Sequence, residues 1–200
     1  MPKVQIPKDK ILETALKLLI REGSKAITIS RLAKEMDCST QPISHTFGSM
    51  ENFREEFAEY VTGYFYNRNT VSADNPVQMF GSVGVRYLEI AFEETNLIYF
   101  LRENSREFFA HGGRGTIFEK NKSRDIAKAL SPFLGISEED AALFMQTMVT
   151  YSKGLVSLVV DGTISISFSE SLRRLEEIGK MCLVYLGVPD DKAGDFCRIV

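Results

Sequence analysis

The sequence predicts an all-α protein. Apolar residues recur at spacings of three and four through most of the chain, and capping residues and glycines separate these segments. No second strand candidate is present with which a first could pair. About nine helices fit into the 200 residues. We expect a three-helix N-terminal domain over residues 1–54 and a larger helical domain over residues 55–200.

The first helix is predicted between Pro7 and Gly23. Proline suits a first helical turn, and glycine favours the end of a helix. Between them the apolar face is formed by Ile11, Leu12, Ala15, Leu16 and Leu19. Lys8, in the first turn, is predicted to contact phosphate or, as an alternative, to be part of a solvated basic end.

Residues 28–53 predict two short helices joined by a tight turn. Thr28 is a good N-cap for the first, because its hydroxyl can accept from free N–H groups of the first turn. Ser39 offers a second N-cap. Pro42 then requires that the second helix begin near residue 39 or 40, since proline is tolerated only in the first turn.

The second of these helices has a polar outer face. Ile43 and Phe47 lie on one side, whereas Thr40, Gln41, Ser44 and His45 lie on the other. Amide, hydroxyl and imidazole groups suit base edges and phosphates, and a helix-turn-helix places such a face in the DNA major groove. Gln41, Thr40 and His45 are therefore predicted to read bases, and Lys34 to contact phosphate.

Six further helices are predicted over residues 49–68, 76–95, 96–109, 116–133, 137–160 and 169–186. Residues 69–76 form the first clear loop. Ser131-Pro132 is expected to end the seventh helix, and Ser137 with Asp140 is an N-terminal signature for the eighth. Ser169 is expected to cap the ninth.

Two segments allow a second interpretation. Residues 163–168 alternate like a strand, but a lone strand has no partner, so we predict an extended connector. Residues 111–115, HGGRG, contain glycines and an arginine. They lack the strand and the Lys-Ser/Thr that accompany a phosphate-binding loop, so a plain loop is predicted.

Composition and charge favour a cytoplasmic protein that presents one end to a polyanion. Residues 1–54 carry nine Lys or Arg against six Asp or Glu, whereas residues 55–200 carry fifteen against twenty-one. The three cysteines are widely spaced, so no disulfide framework is predicted. No signal peptide is recognised at the N-terminus, and the apolar run over residues 154–160 is too short to cross a membrane.

No enzyme motif is present. The two histidines belong to no metal-binding pattern, and no nucleophile elbow, Walker loop or Rossmann fingerprint occurs. We expect neither catalysis, nor a cofactor, nor a metal.

Residues 11–53 resemble the DNA-binding domain of the TetR family of transcriptional regulators. The matching residues are Ile11-Leu12, Ala15, Leu18-Leu19, Gly23, Thr28, Leu32-Ala33, Ser39, Phe47 and Ser49-Met50-Glu51. Ser44 and Thr46 stand where the family usually has tyrosines, and Met50 stands where it usually has a phosphate-contacting lysine. We therefore expect weaker or differently anchored DNA binding. The predicted DNA-binding residues are Lys8, Thr28, Lys34, Ser39, Thr40, Gln41, Pro42, Ser44, His45 and Thr46.

Twelve of the twenty-one aromatic residues lie between Phe57 and Phe109. Most are expected in the core, but some are predicted to line an apolar ligand cavity, which the family resemblance also implies. The predicted ligand-binding residues are Tyr64, Phe65, Phe80, Tyr87, Tyr99, Phe100 and Phe108. The effector itself is unknown and is expected to be small and largely apolar.

The last two predicted helices are expected to form a dimer interface. The helix over residues 137–160 is apolar on more than one face, so it needs more than one partner. Two such helices from each chain would give a four-helix, two-fold interface. The predicted interface residues are Phe144, Met148, Tyr151, Leu155, Val159, Leu172, Leu175, Ile178, Cys182 and Leu186.

Together these features predict a ligand-responsive transcriptional repressor. It would bind a palindromic operator in double-stranded DNA as a homodimer, and ligand binding would release it by shifting the spacing of the recognition helices. The alternative is a helical interaction protein whose helix-turn-helix is vestigial, an interpretation supported by Ser44, Thr46 and Met50.

Overall fold

The computed structural model describes residues 6–70, 72–104 and 120–198, with side chains from Arg124 onward in the last range. All regular structure in these ranges is helical, so the predicted all-α class is confirmed, with ten α-helices where about nine were expected. They are α1 (Lys8–Glu22), α2 (Ile29–Glu35), α3 (Thr40–Phe47), α4 (Met50–Arg68), α5 (Pro76–Glu93), α6 (Thr95–Glu103), α7 (Lys120–Leu134), α8 (Glu138–Val160), α9 (Phe168–Tyr185) and α10 (Asp190–Cys197).

The chain divides into two compact units. The first comprises residues 1–68 and 94–112, and the second comprises residues 69–93 and 113–200. The chain therefore leaves the first unit after α4, at the start of the predicted loop, and returns to it just before α6. These two units are defined by which residues pack together. The predicted division into a DNA-binding domain, residues 1–54, and a ligand-binding and dimerisation domain, residues 55–200, remains a prediction.

The core of the first unit contains a continuous series of phenylalanine rings. Phe47 meets Phe53 edge-on at a centroid distance of 5.0 Å, Phe53 stacks on Phe57 at 5.6 Å, and Phe57 meets Phe100 at 5.3 Å. These rings join α3, α4 and α6. Aromatic pairs of this kind each add about 0.5–1.5 kcal/mol beyond burial alone.

The end of α1 is held by α6. Gly23 ends α1 with φ of 85°, as its predicted capping role requires. The Asn96 side-chain Nδ2 of α6 donates to the Ile20 carbonyl at 3.0 Å. A Cβ at position 23 would lie 3.4 Å from Asn96 Oδ1. This is an ordinary van der Waals distance, so the positive φ, rather than crowding by α6, favours glycine at this position.

A buried carboxylate joins the end of α4 to the start of α6. Glu94 is 8% exposed and accepts a hydrogen bond from the Tyr64 hydroxyl at 2.9 Å. Arg68 Nε lies 2.9 Å from the same oxygen, although its N–H is not aligned for a hydrogen bond. Tyr64 and Arg68 are four residues apart, so they lie on one face of α4.

In the second unit α8 packs against α5, α7 and α9, and α9 packs against α10. The core of the unit is formed by Val77, Ala127, Leu130, Leu134, Ala141, Phe144, Met145, Leu183, Val188, Ala193 and Cys197. α8 begins with the predicted cap, since the Asp140 N–H donates to Ser137 Oγ at 3.0 Å.

The second unit differs from the predictions in three places. Pro132 lies inside α7, which ends at Leu134, one residue after the predicted end. The cap of α9 is Ser167 rather than Ser169, because Ser167 Oγ accepts from the Glu170 N–H at 3.1 Å. α10 was not predicted at all.

We expect Glu94→Ala to lower the free energy of unfolding by about 2 kcal/mol, because it removes a charged, buried hydrogen-bond partner. Urea unfolding measures the change. Glu59→Ala, on the exposed face of the same α4, is the matched control. Equal losses in the two variants would contradict a stabilising role for Glu94.

Gly179→Ala should destabilise the second unit by about 1–3 kcal/mol, because the new Cβ would lie 2.9 Å from Cys197 Sγ of α10. The double variant Gly179→Ala/Cys197→Ala should regain part of the lost stability, because it lacks the sulfur that the new Cβ would meet. Gly63→Ala in α4 meets no atom within 4 Å and should be neutral or stabilising. If thermal unfolding gave Gly63→Ala a lower midpoint temperature than Gly179→Ala, the close approach of position 179 to Cys197 would be refuted.

Candidate nucleic-acid interface

The turn between α2 and α3 is short and internally bonded. Thr28 Oγ1 accepts from the Arg31 N–H at 3.2 Å, which confirms the predicted cap of α2. Asp37 turns the chain with φ of 48°, and the Cys38 N–H donates to the Ala33 carbonyl at 2.9 Å. α3 therefore begins only a few residues after α2 ends, as a helix-turn-helix requires.

Pro42 is the third residue of α3, within the first turn, where helical N–H groups have no internal partner. Ser39 occupies the N-cap position with extended backbone, but its hydroxyl makes no capping hydrogen bond. The prediction that α3 starts near residue 39 or 40 is confirmed.

α3 separates a buried face from an exposed one. Ile43 and Phe47 are 1% and 5% exposed, and they anchor the helix in the first unit. Thr40, Gln41, Ser44 and His45 are all exposed. The helix thus presents one amide, two hydroxyls and one imidazole on a single outward surface.

Thr46 differs from these four. It is half-buried, and its hydroxyl donates to the Pro42 carbonyl at 2.9 Å. Because the Thr46 hydroxyl already donates its hydrogen to a backbone carbonyl of α3, it would have to break this bond in order to donate to a base or a phosphate.

The two predicted phosphate contacts have different surroundings. Lys34 is exposed on α2. Lys8 Nζ lies 2.7 Å from Glu56 Oε2 of α4 and 5.5 Å from the centroid of the Phe47 ring. Lys8 therefore links α1 to α4 and to the base of α3, and a phosphate would compete with Glu56 for its charge.

The junction of α3 and α4 is fixed by Asn52. Its side-chain Nδ2 donates to the Phe47 carbonyl at 3.1 Å, and its N–H donates to Ser49 Oγ at 3.1 Å. The contact from Asn52 to Phe47 was not predicted from the sequence. An asparagine three residues after a serine cap was the only available signal, and it is a weak one.

A cavity of about 120 Å³ lies where α2, α3 and the start of α4 meet. Its lining consists of Ile29, Ile43, Ser44, Phe47, Gly48, Ser49, Met50 and Phe53. The cavity places Met50 beside Ser44, so the first turn of α4 adjoins the exposed face of α3.

A small ion-pair cluster holds α1 against α2. Arg21 and Arg31 each lie within 3.0 Å of both Glu22 and Glu35. The Arg21 and Arg31 guanidinium groups lower the pKa of the Glu22 carboxyl through their hydrogen bonds. These arginines face carboxylates in their own unit.

The predicted ligand-binding aromatics fall into both units. Tyr64, Phe65, Tyr99 and Phe100 belong to the first, and Phe80 and Tyr87 belong to the second. Phe108 lies outside the described residues. The Tyr64 hydroxyl bonds to Glu94, and Phe100 is in the ring series of the core. None of the seven lines the cavity beside α3.

The ten predicted interface residues all belong to the second unit and are buried or half-buried there. Phe144, Leu155 and Leu175 are 5%, 5% and 3% exposed. The other seven are half-buried; they are Met148, Tyr151, Val159, Leu172, Ile178, Cys182 and Leu186.

Five of the eight large apolar side chains that are exposed in the described ranges lie on the same two helices. Leu143 and Leu158 of α8 are 48% and 43% exposed. Met181, Val184 and Tyr185 of α9 are 66%, 42% and 84% exposed. Together these five residues are called the α8–α9 apolar face below.

By length and mean hydropathy, α8 could also cross a membrane, and only 28% of its most apolar window is buried. A core helix of a soluble protein passes the same test. Its contacts with α5, α7 and α9 place it in the core of the second unit. The low buried share shows that most positions of this window are not fully buried by the described residues.

Within the described ranges, no group of three His, Cys, Asp or Glu side chains could hold a metal ion. The three cysteines are free thiols. Burial raises the pKa of the Cys197 thiol to about 11, so it is protonated and unreactive at neutral pH.

Comparison with known proteins gives one informative result. A crystal structure of a TetR-family transcriptional regulator from Streptomyces coelicolor matches with a TM-score of 0.59 and 14% identity, covering 95% of this chain and 86% of that chain. No protein-family model and no curated protein matches the chain. The match confirms, at the level of the fold, the resemblance predicted from the sequence.

Proposed function

We propose that this chain, whose fold is that of a TetR-family regulator, is a DNA-binding transcriptional repressor. The observation that carries the proposal is the exposed face of α3, which presents Thr40, Gln41, Ser44 and His45 on a helix anchored by Ile43 and Phe47. Side chains of these types can hydrogen-bond base edges in the major groove. The protein would be cytoplasmic and non-enzymatic.

The chain would bind a palindromic operator as a homodimer. One short recognition helix reads few bases, whereas two related helices read half-sites about 34–36 Å apart or a multiple of that. The α8–α9 apolar face supports this assembly, because it exposes five large apolar side chains on two neighbouring helices. Apolar surface of this kind marks an interaction site.

A small, largely apolar effector would control DNA binding. The support is the density of aromatic residues between Phe57 and Phe109. The effector would favour the conformation whose recognition-helix spacing does not fit the operator, and so release the DNA. The predicted lining residues remain part of this proposal.

A second candidate, a helical interaction protein with a vestigial helix-turn-helix, has its own support. Lys8 is paired with Glu56, and the Thr46 hydroxyl bonds within α3, so two of the expected DNA contacts are occupied. A gel-shift experiment with the chain's own upstream DNA separates the two candidates. Salt-dependent binding to an inverted repeat supports the regulator, and no binding even at low salt supports the interaction protein.

Gln41→Ala should weaken operator binding by about 1–3 kcal/mol and relax base preference at one position of each half-site, because it removes a side chain able to bond adenine at two points. Binding to a set of single-base operator variants measures both effects. Gln78→Ala, an exposed glutamine on α5, is the matched control. Unchanged affinity and preference in Gln41→Ala would contradict base reading.

Met181→Glu should produce a folded monomer with little operator affinity, because the charge would lie in the α8–α9 apolar face, where Met181 is 66% exposed. Leu175→Glu is less suitable, because Leu175 is buried and a charge there would disrupt the core. Met79→Glu, on exposed Met79 of α5, is the control and should leave assembly unchanged. Light scattering that found the wild-type chain monomeric at micromolar concentration while it bound one half-site tightly would refute the dimer.

A further inference from the structure

Five of the basic side chains in the described part of the first unit form ion pairs within it. Lys8 pairs with Glu56, Lys17 with Glu13, and Arg68 with Glu94. Arg21 and Arg31 share Glu22 and Glu35. In the described part of this unit, the exposed Lys or Arg side chains left without an ion pair are Lys10, Lys25, Lys34 and Arg54.

Arg54 differs from the three lysines in its position. It lies on α4, one turn after Met50, so the two side chains share a helix face. Met50 lines the cavity that also contains Ser44 of α3. Side chains on a helix lean toward its N-terminus, so Arg54 leans back toward Met50 and the junction of α3 and α4.

We propose that Arg54 contacts a backbone phosphate of the DNA beside the recognition helix. This inference rests on the proposed function. A guanidinium can hold a phosphate through two parallel hydrogen bonds, which no uncharged side chain at this junction can do. The contact would add affinity for every sequence and fix the register of α3 without reading a base.

Two carboxylates lie close to Arg54 in sequence. Glu51 precedes it by three residues and Glu55 follows it directly, and both are exposed. Neither forms an ion pair with Arg54 in the described structure, although the spacing from Glu51 would allow one. The guanidinium therefore faces solvent without a partner and needs to break no internal bond to reach a phosphate, in contrast to Lys8.

The test compares Arg54→Gln, Arg54→Lys and wild type on two duplexes of equal length: one with the upstream inverted repeat, and one scrambled. Fluorescence anisotropy gives the dissociation constant at several KCl concentrations. Arg124→Gln, which removes the same charge from an exposed position on α7 of the second unit, is the matched control. Circular dichroism verifies that every variant is folded.

For Arg54→Gln we expect weaker binding to both duplexes, an unchanged preference between them, and a salt slope shallower by about 0.9 for each protomer. Arg54→Lys should keep the wild-type slope, and so should Arg124→Gln. A slope in Arg54→Gln equal to that of wild type, or a loss on the inverted repeat alone, would overturn the phosphate contact and leave the proposed function intact. Absence of any wild-type binding at low salt would instead overturn the proposed function, and this inference with it.

Discussion

The position of α3 depends on the packing of Phe47. Its ring meets Phe53 at the start of α4, and the series continues through Phe57 to Phe100 in α6. Lys8 Nζ lies over the Phe47 ring, 5.5 Å from its centroid, and pairs with Glu56. A helix of eight residues has little stability of its own, so these contacts provide the stability and orientation of its exposed face.

The same contacts link the candidate DNA-binding surface to the two places where the chain crosses between units. Phe57 and Arg68 both lie on α4, and Glu94 directly precedes α6. The pair of Arg68 with Glu94 and the pair of Phe57 with Phe100 therefore join the same two helices at different points along α4. α4 therefore contacts α6 both in its middle, through Phe57, and near its end, through Arg68.

Sequence patterns predicted the parts of the fold that depend on local chemistry. The caps at Thr28 and Ser137 and the glycine at position 23 were found because each has a specific local signal. The buried and exposed faces of α3 also followed directly from the spacing of Ile43 and Phe47. α10 was missed because it has eight residues and only two buried positions, Ala193 and Cys197, which give too little periodicity.

Other errors came from choices that local signals leave open. Ser167 and Ser169 are both good caps, and only the hydrogen bond from Glu170 distinguishes them. Pro132 was predicted to mark the end of α7, and the helix does end two residues later, at Leu134, before Gly135 with φ of 69°. For the predicted dimer, the sequence drew attention to two apolar helices, and the interface itself remains a prediction. The sequence could not show which stripe the chain's own core would cover, because that depends on how α5, α7 and α10 pack.

The charges show the same limit for the candidate site. A count of basic residues in the first 54 positions treats Lys8, Arg21, Arg31 and Arg54 as equivalent. In the folded unit the first three face carboxylates, and only Arg54 is free to bind an anion without breaking an internal pair. In the described part of the first unit, the exposed basic side chains without an ion pair are therefore Lys10, Lys25, Lys34 and Arg54. If the chain binds DNA as proposed, the phosphates that these four side chains neutralise, rather than the net charge, should determine the salt dependence of binding.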